Sequence, residues 1–407
     1  MSDATDQYWM ARALQLAQRG LYSTRPNPRV GAVIVAPGTK GPEGPHSDKG
    51  RLLGEGWHHR AGEPHAEVLA LRAAGEAARG AIAYVTLEPC SHHGRTPPCA
   101  EALVAAGVAR VVVAIQDPNP AVSGAGLARL QQAGIETRVG VLEPQARDLN
   151  PGFLRVMAGG RPWLRLKMAA SLDGRTAMAS GESQWITGAA ARRDVQRLRA
   201  RSGAIITGAG TARADDPSMT VRPEQLGETG ELAAPVGQPL RLVLDPRLTL
   251  SPGSRLVTGP GRCVVAGLSD RGAQARALRE AGAEVLALPA AAGEPGRIDL
   301  EAALDWLAGE QCHEVLLEAG PTLAGAAIGA QLVDELWLYQ APTFLGSQAR
   351  PMAELAYERM AQQQRWRVRD RRQVGPDQRL ILQPRIGDGG PASADASGAA
   401  DSGPIQH

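Results

Sequence analysis

One histidine and two cysteines, far apart in sequence but each at the edge of a regular element, constrain this chain more than anything else in it. His65-Ala66-Glu67 opens a segment with helical periodicity, Pro64–Ala78. Glu88-Pro89-Cys90 follows a strand signal at Ala81–Leu87, and Cys99 comes after the turn-rich loop SHHGRTPP at the start of a helix, Cys99–Ala106. An imidazole and two thiolates occupy three positions of tetrahedral zinc and leave the fourth open, as a catalytic site requires. Water on such a metal has its pKa lowered to about 7 and becomes hydroxide at neutral pH. Glu67, two residues from its neighbouring ligand, is placed to take the water's proton and pass it to a departing amine. To use these residues together, the chain must bring one strand end and two helix starts to a point, which a sheet flanked by helices does.

An H-x-E element paired with a P-C element is the arrangement of zinc-dependent base deaminases. In that pattern two residues separate the cysteines, whereas here there are eight; the loop prolines and the next helix start allow Cys99 to return to the metal. The competing reading makes His65 a helix cap and the cysteines small buried hydrophobes. With three protein ligands already in place, His92 and His93 are expected to line the loop, and His58 and His59 to sit in a solvated turn, a substrate contact being the alternative.

Around this constellation, helix and strand signals alternate. Helical periodicity at 5–19 precedes a strand at Val30–Val35, a Gly/Pro-rich elongated hairpin loop at Ala36–Arg51, a strand at Arg110–Ile115 and a helix near Gly126–Ala133. Residues 143–162 read as a helical connector closed by Gly159, Gly160 and Pro162. A second alternating region follows, with strands at Trp163–Met168, Ala204–Thr207, Leu240–Leu244, Cys263–Ala266, Glu284–Leu288 and Glu314–Glu318, and helices at 189–201, 271–281, 299–308 and 321–330. Glu335–Gln340, Trp366–Arg371 and Arg379–Gln383 look like antiparallel strands. The expected domains are 1–150 and 163–386, joined by the connector 151–162, and the Gly/Ala/Ser-rich residues 387–407 are expected to form a disordered tail.

Composition narrows the partners. The chain's 44 basic and 42 acidic residues nearly cancel, and aromatic residues make up only 3%, so neither the basic stripe nor the stacking rings of a nucleic-acid groove are present. A small-molecule substrate is expected. The N-terminus lacks the pattern of a secretion signal, and no apolar run is long enough to span a bilayer. Cys90 and Cys99 cluster with ligands while Cys263 and Cys312 lie in distant apolar stretches, which fits a reduced cytoplasm.

The run from His65 to Glu67 followed by TLEPCSHHGRTPPC (Thr86–Cys99) resembles the RibD family of riboflavin-biosynthesis proteins, in which the long inter-cysteine loop is a shared feature. The resemblance continues through RPNPRVG (Arg25–Gly31), QDPNP (Gln116–Pro120), KMAASLDGRTAMASGESQWITG (Lys167–Gly188), TGAGTARADDPSMTVR (Thr207–Arg222) and LEAGPTLAG (Leu317–Gly325), covering residues 7 to 384. It implies a cytidine-deaminase-like α/β domain, with a mixed sheet flanked by helices, followed by a dihydrofolate-reductase-like α/β domain. It further implies Zn2+ and NADPH as cofactors and a homo-oligomer acting on pyrimidine ribotides, without nucleic acid or membrane. His65, Cys90 and Cys99 would hold zinc and Glu67 would be catalytic, while Asn27 and Arg95 match positions that approach the deaminase substrate. Ala36–Arg51 looks longer than the family's usual turn.

The second half carries no G-x-G-x-x-G after its first strand, so an ordinary dinucleotide-binding site of the Rossmann kind is unsupported. Two small-residue turns follow strands instead, at Ile206–Thr211 and Glu318–Gly325, and the second leads into a helix whose N-terminus can receive a phosphate. Tight strand-to-helix packing explains such turns equally well. By the resemblance, Ala169, Trp185, Thr211, Asp215, Gly320, Pro321, Thr322, Leu323, Ala324, Gly325 and Ala326 match cofactor-contacting positions. Ser183, Arg199, Met219, Arg222 and Glu318 match substrate-contacting ones, the two arginines suiting a phosphate. Lys167 reads as a strand lysine and Asp173 as a turn former before Gly174. Two other readings stay open: a deaminase with a non-catalytic C-terminal half, and a nucleic-acid-editing zinc deaminase.

Overall fold

The structure is a computed structural model that describes residues 3–38, 49–91, 98–120, 122–226 and 236–385. Two open sheets organise it. The first region runs α1 (Asp3–Gln18), β1 (Gly31–Ala36), β2 (Arg51–Trp57), α2 (Ala66–Ala74), β3 (Ile82–Val85), α3 (Cys99–Ala106), β4 (Arg110–Val113), α4 (Ala125–Gln132) and β5 (Glu136–Val139). Its sheet order is β2-β1-β3-β4-β5, with β1 antiparallel to both neighbours and β3, β4 and β5 parallel. Successive strand residues point to opposite faces, so two cores form. Val33, Val35, Tyr84 and Val112 pack with Met10, Ala13 and Leu14 of α1. Ala32, Ile34, Ala83, Val85 and Val111 pack with Ala66, Ala70, Leu103, Leu127 and Leu130 on the other side.

Sequence periodicity does not reveal β2, because its RLLGEGW sequence carries two glycines. They serve close approach: a Cβ on Gly54 would lie 2.3 Å from the Ala70 carbonyl oxygen, and one on Gly56 2.6 Å from that of Ala66. These contacts seat α2, and with it His65 and Glu67, directly on the sheet. Strand β5 is missed for a different reason, being a short edge strand with no fully buried residue. The Ala36–Arg51 segment does join an antiparallel hairpin, although residues 39–48 lie outside those described.

The connector is two helices, α5 (Glu143–Leu149) and α6 (Pro151–Met157). Pro151 cannot continue the first but is suited to start the second. The chain then forms β6 (Trp163–Ala170), β7 (Arg175–Ala177), α7 (Ala189–Arg201), β8 (Ala204–Gly208), α8 (Ala209–Asp215), β9 (Leu240–Leu244), α9 (Arg255–Thr258), β10 (Cys263–Gly267), α10 (Ala273–Glu280) and β11 (Glu284–Ala287). It continues with β12 (Ala290–Ala291), β13 (Glu294–Ile298), α11 (Leu300–Gly309), β14 (Glu314–Glu318), α12 (Pro321–Gly329), β15 (Glu335–Gln340), β16 (Arg350–Pro351), β17 (Trp366–Val374) and β18 (Asp377–Pro384).

Nine strands order as β11-β10-β9-β8-β14-β6-β15-β18-β17. Strands β11 to β15 along this order are parallel, and only β18 and β17 are antiparallel. The expectation for Glu335–Gln340 is thus corrected: it runs parallel to β6 and antiparallel to β18 alone, because α12 returns the chain over the sheet before it begins. The expected tail, 387–407, lies outside the described residues.

Buried charge joins the two sheets. Arg29, at the entry to β1, donates to the carboxylate of Glu314 at the start of β14, and Arg165 and Arg201 donate to the same carboxylate. Burial alone would raise the Glu314 pKa, but the three guanidinium groups hold it well below the usual carboxylate range. Gly152 of α6 lies so close to His313 that a Cβ would stand 2.1 Å from its carbonyl oxygen.

Candidate active sites

Helix α2 begins immediately after His65, α3 begins at Cys99, and Cys90 ends the turn that follows β3. These elements bring the three ligand atoms within 4.8 Å of one another. His65 Nδ1 lies 3.2 Å from Cys99 Sγ and 3.7 Å from Cys90 Sγ. Tetrahedral ligands at ordinary Zn–N and Zn–S lengths stand roughly 3.5 Å apart, so the donor set and spacing fit zinc. The Cys99 amide donates to Cys90 Sγ at 3.3 Å. Hydrogen bonding from Cys99, and then from His65, pulls the Cys90 thiol down, while Cys99 is pushed up by its bond to Cys90 and by burial.

Glu67 is 3% exposed, and its Oε2 is buried without a hydrogen-bond partner. Burial raises its carboxyl to about 7. A buried carboxyl with one oxygen unoccupied beside a three-ligand cluster is equipped to exchange a proton with whatever occupies the fourth position.

His58 is the residue that sequence reasoning misplaces. It is 3% exposed, not in a solvated turn, and it packs edge-on to His65 with ring centroids 5.3 Å apart. Nδ1 lies 3.2 Å from the Pro64 carbonyl oxygen, which requires a proton there and leaves Nε2 to accept from the Asn27 amide at 3.0 Å. Burial lowers its pKa, which keeps the ring neutral in this role. Asn27 therefore stands near the cluster, its amide fixed by His58. The signal was hidden because His58 follows β2, itself disguised by glycines. His59 stacks on Trp57 at 4.0 Å. Arg95, His92 and His93 lie outside the described residues.

A cavity of about 2500 Å³ opens at the carboxyl ends of β6, β8, β9 and β14 in the second sheet, the edge at which open α/β sheets bind ligands. Ala169, Trp185, Thr211, Asp215, Gly320, Pro321, Thr322, Leu323, Gly325 and Ala326 line it, and so do Ser183, Arg199, Met219, Arg222 and Glu318. Ala324 does not. It is fully buried and packs into the hydrophobic core, because consecutive residues of α12 cannot all face one side.

Thr211 Oγ1 accepts from the Gly320 amide at 3.0 Å and so ties the two small-residue turns together. Ser183 Oγ donates to Asp215 at 3.2 Å. Arg199 Nε and Nη2 grip Glu318 at 2.6 and 2.9 Å, and Nη1 donates to the Thr220 carbonyl. Burial would raise Glu318, yet Arg199 holds it below the usual carboxylate range. Lys167 lies on the cavity wall, and burial lowers its pKa. Asp173 belongs to the turn, its carboxylate receiving Ser171 Oγ and the amides of Leu345 and Gly346.

Together these sites define a class of protein, a zinc-dependent deaminase joined on one chain to a nucleotide-dependent reductase. Residues 3–115 match the cytidine and deoxycytidylate deaminase zinc-binding region, and residues 162–378 match the RibD C-terminal domain. The chain belongs to the RibD family, the bifunctional deaminase–reductases of riboflavin biosynthesis, and its cofactors are Zn2+ and NADPH. It is 51% identical over 381 residues to riboflavin biosynthesis protein RibD of Escherichia coli, covering 93% of this chain and 99% of that one. The solved RibD of Acinetobacter baumannii is 48% identical, with a TM-score of 0.83 over 94% of this chain and 99% of its own. A diaminohydroxyphosphoribosylaminopyrimidine deaminase/5-amino-6-(5-phosphoribosylamino)uracil reductase from Thermotoga maritima is 30% identical, with a TM-score of 0.79 over 94% and 99% of the two chains. Among the described residues, no helix is long and apolar enough to cross a membrane.

Proposed function

We propose that this chain performs two consecutive steps. The first site removes the 2-amino group of 2,5-diamino-6-ribosylamino-4(3H)-pyrimidinone 5′-phosphate by hydrolysis. The second reduces the ribose of 5-amino-6-(5-phosphoribosylamino)uracil to a ribityl chain. The observation that carries this reading is the convergence of His65, Cys90 and Cys99 beside the unpartnered Glu67 oxygen, on the same chain as the cavity of the second sheet.

His65, Cys90 and Cys99 would hold zinc, which when bound supplies a Lewis acid and an acidic water. Glu67 would accept a proton at its unpartnered Oε2 and return it to the departing amine, a task suited to a carboxyl raised to about 7. Asn27, its Nδ2 turned to His58, leaves its amide oxygen to accept from a ring donor. Arg95 is proposed as a further substrate contact.

In the reductase, NADPH supplies the hydride, and the protein's part is orientation. The turns at Thr211 and Gly320–Ala326 cradle the cofactor with Ala169, Trp185 and Asp215, Ala324 acting only from beneath. Arg199 has its nitrogens committed inside the protein, so its role is to hold Glu318 toward the ribose hydroxyls. Arg222, exposed on the cavity wall, is left to meet the phosphate. Ser183 and Met219 complete the substrate side.

The proposed domains are 1–150 and 163–386 with a 151–162 connector, a division supported by the two matched regions. We further propose a homo-oligomer, supported by Val368, 57% exposed on edge strand β17, and checked by light scattering. All four cysteines are unpaired, which supports a reducing, cytoplasmic setting. Incubating the zinc-loaded protein with the diaminopyrimidinone ribotide, with and without NADPH, and weighing the products tests the whole reading. Loss of the amine alone is expected without NADPH, and gain of two hydrogens in addition with it; an unaltered ribotide in both would refute it.

A further inference from the structure

Glu88 is almost fully buried, 4% exposed, two residues before Cys90. Its carboxylate accepts four backbone amides. Oε2 receives Asp117 at 3.0 Å and Gly124 at 3.1 Å, and Oε1 receives Gly126 at 2.9 Å and Leu127 at 3.3 Å. The Glu88 amide itself donates to the Ile115 carbonyl. Gly126 meets the same turn from above, where a Cβ would stand 2.0 Å from the Pro89 carbonyl oxygen. On its other side, the Cys90 carbonyl accepts from the Ala100 amide of α3.

Capping a helix takes one or two acceptor bonds. Here one carboxylate gathers the first turn of α4 and the loop after β4 onto the three residues that end in Cys90. We propose that Glu88 is a positioning residue for the metal site: it fixes the 88–90 turn so that Cys90 Sγ sits at ligand distance from His65 and Cys99. The proposal rests on the reading of Cys90 as a ligand. Glutamine in its place would turn an NH2 donor toward amide donors, so at least one pair of bonds is lost and the turn is released.

Outer-shell partners of metal ligands change metal affinity by 10–100-fold when removed. Zinc affinity, measured by chelator competition on the full chain, should fall about 10–100-fold in Glu88→Gln. Saturating zinc should then restore ammonia release, and NADPH oxidation with the deaminated substrate should be unchanged. Gly126→Ala, which keeps the Glu88 carboxylate but drives a Cβ against the Pro89 carbonyl oxygen and Glu88 Oε1 and so pushes α4 off the 88–90 turn, should weaken zinc too; it decides the matter if Glu88→Gln does not fold. Parental zinc affinity in either folded variant would overturn the proposal. So would ammonia release that stays low in zinc-saturated Glu88→Gln. Cys90→Ser is the control for the underlying reading: if it binds zinc normally, the ligand assignment fails and the proposal with it, whereas lost zinc in Cys90→Ser beside parental affinity in Glu88→Gln overturns the role of Glu88 alone.

Discussion

The two sites solve different chemical problems, and their construction differs accordingly. At the first, chemically distinctive side chains are drawn tightly together: the ligand atoms of one histidine and two cysteines lie within 4.8 Å of one another, beside a buried glutamate. At the second, the cofactor carries the reacting atom and the protein shapes a cavity of about 2500 Å³ from many residues, several of them glycine and alanine. A compact site made of chemically distinctive side chains leaves a signature in sequence. A broad site made of backbone and small residues does not.

Breaking each site alone sharpens this contrast. The largest effect is expected for Cys99→Ser: zinc content by metal analysis and ammonia release should both collapse, while NADPH oxidation on the deaminated substrate stays near the parental rate. In the second site, Glu318→Gln leaves Arg199 buried beside a neutral amide, and losing one partner of a buried pair costs about 3–5 kcal/mol. Denaturant unfolding should show that loss, with a raised KM for the ribotide and undiminished zinc binding.

Acid next probes the charge that joins the two halves. Glu314 and Glu318 are both held below their ordinary value of 4.5 in the fold. A depressed folded pKa gives stability that is fully present above the unfolded value and is lost as pH falls below it. Melting temperature should therefore decline below about pH 4.5, with reductase activity after acid exposure lost together with the contact through Arg29. A flat melting curve down to pH 3 would remove these ion pairs from the account. The smallest effect belongs to Glu55→Gln, which removes the charge of the half-buried partner of exposed Arg12. It should shift stability by less than about 1 kcal/mol and leave both activities alone.

The legibility of the chain follows the same division. His65, Glu67, Cys90 and Cys99 were readable because their types and element-edge positions restrict one another, and most helices and buried strands followed from periodicity. Strand β2 was not, since Gly54 and Gly56 are there for the backbone of α2 and look like a loop. That error carried over to His58, whose burial at the strand's end no local pattern announces. In the second half the resemblance located the cavity, but only the structure shows that Ala324 faces the core and that Arg199 is spent on Glu318. Side-chain direction around a helix and competition between charges are three-dimensional facts.

The central claim, two independent sites on one chain with Glu67 moving protons at the first, is tested most directly by Glu67→Gln assayed three ways. Zinc content and NADPH oxidation on the deaminated substrate should match the parent, while ammonia release falls by about 10²–10⁴-fold. Parental ammonia release in a zinc-loaded Glu67→Gln protein, or loss of the reductase step along with it, would contradict the account.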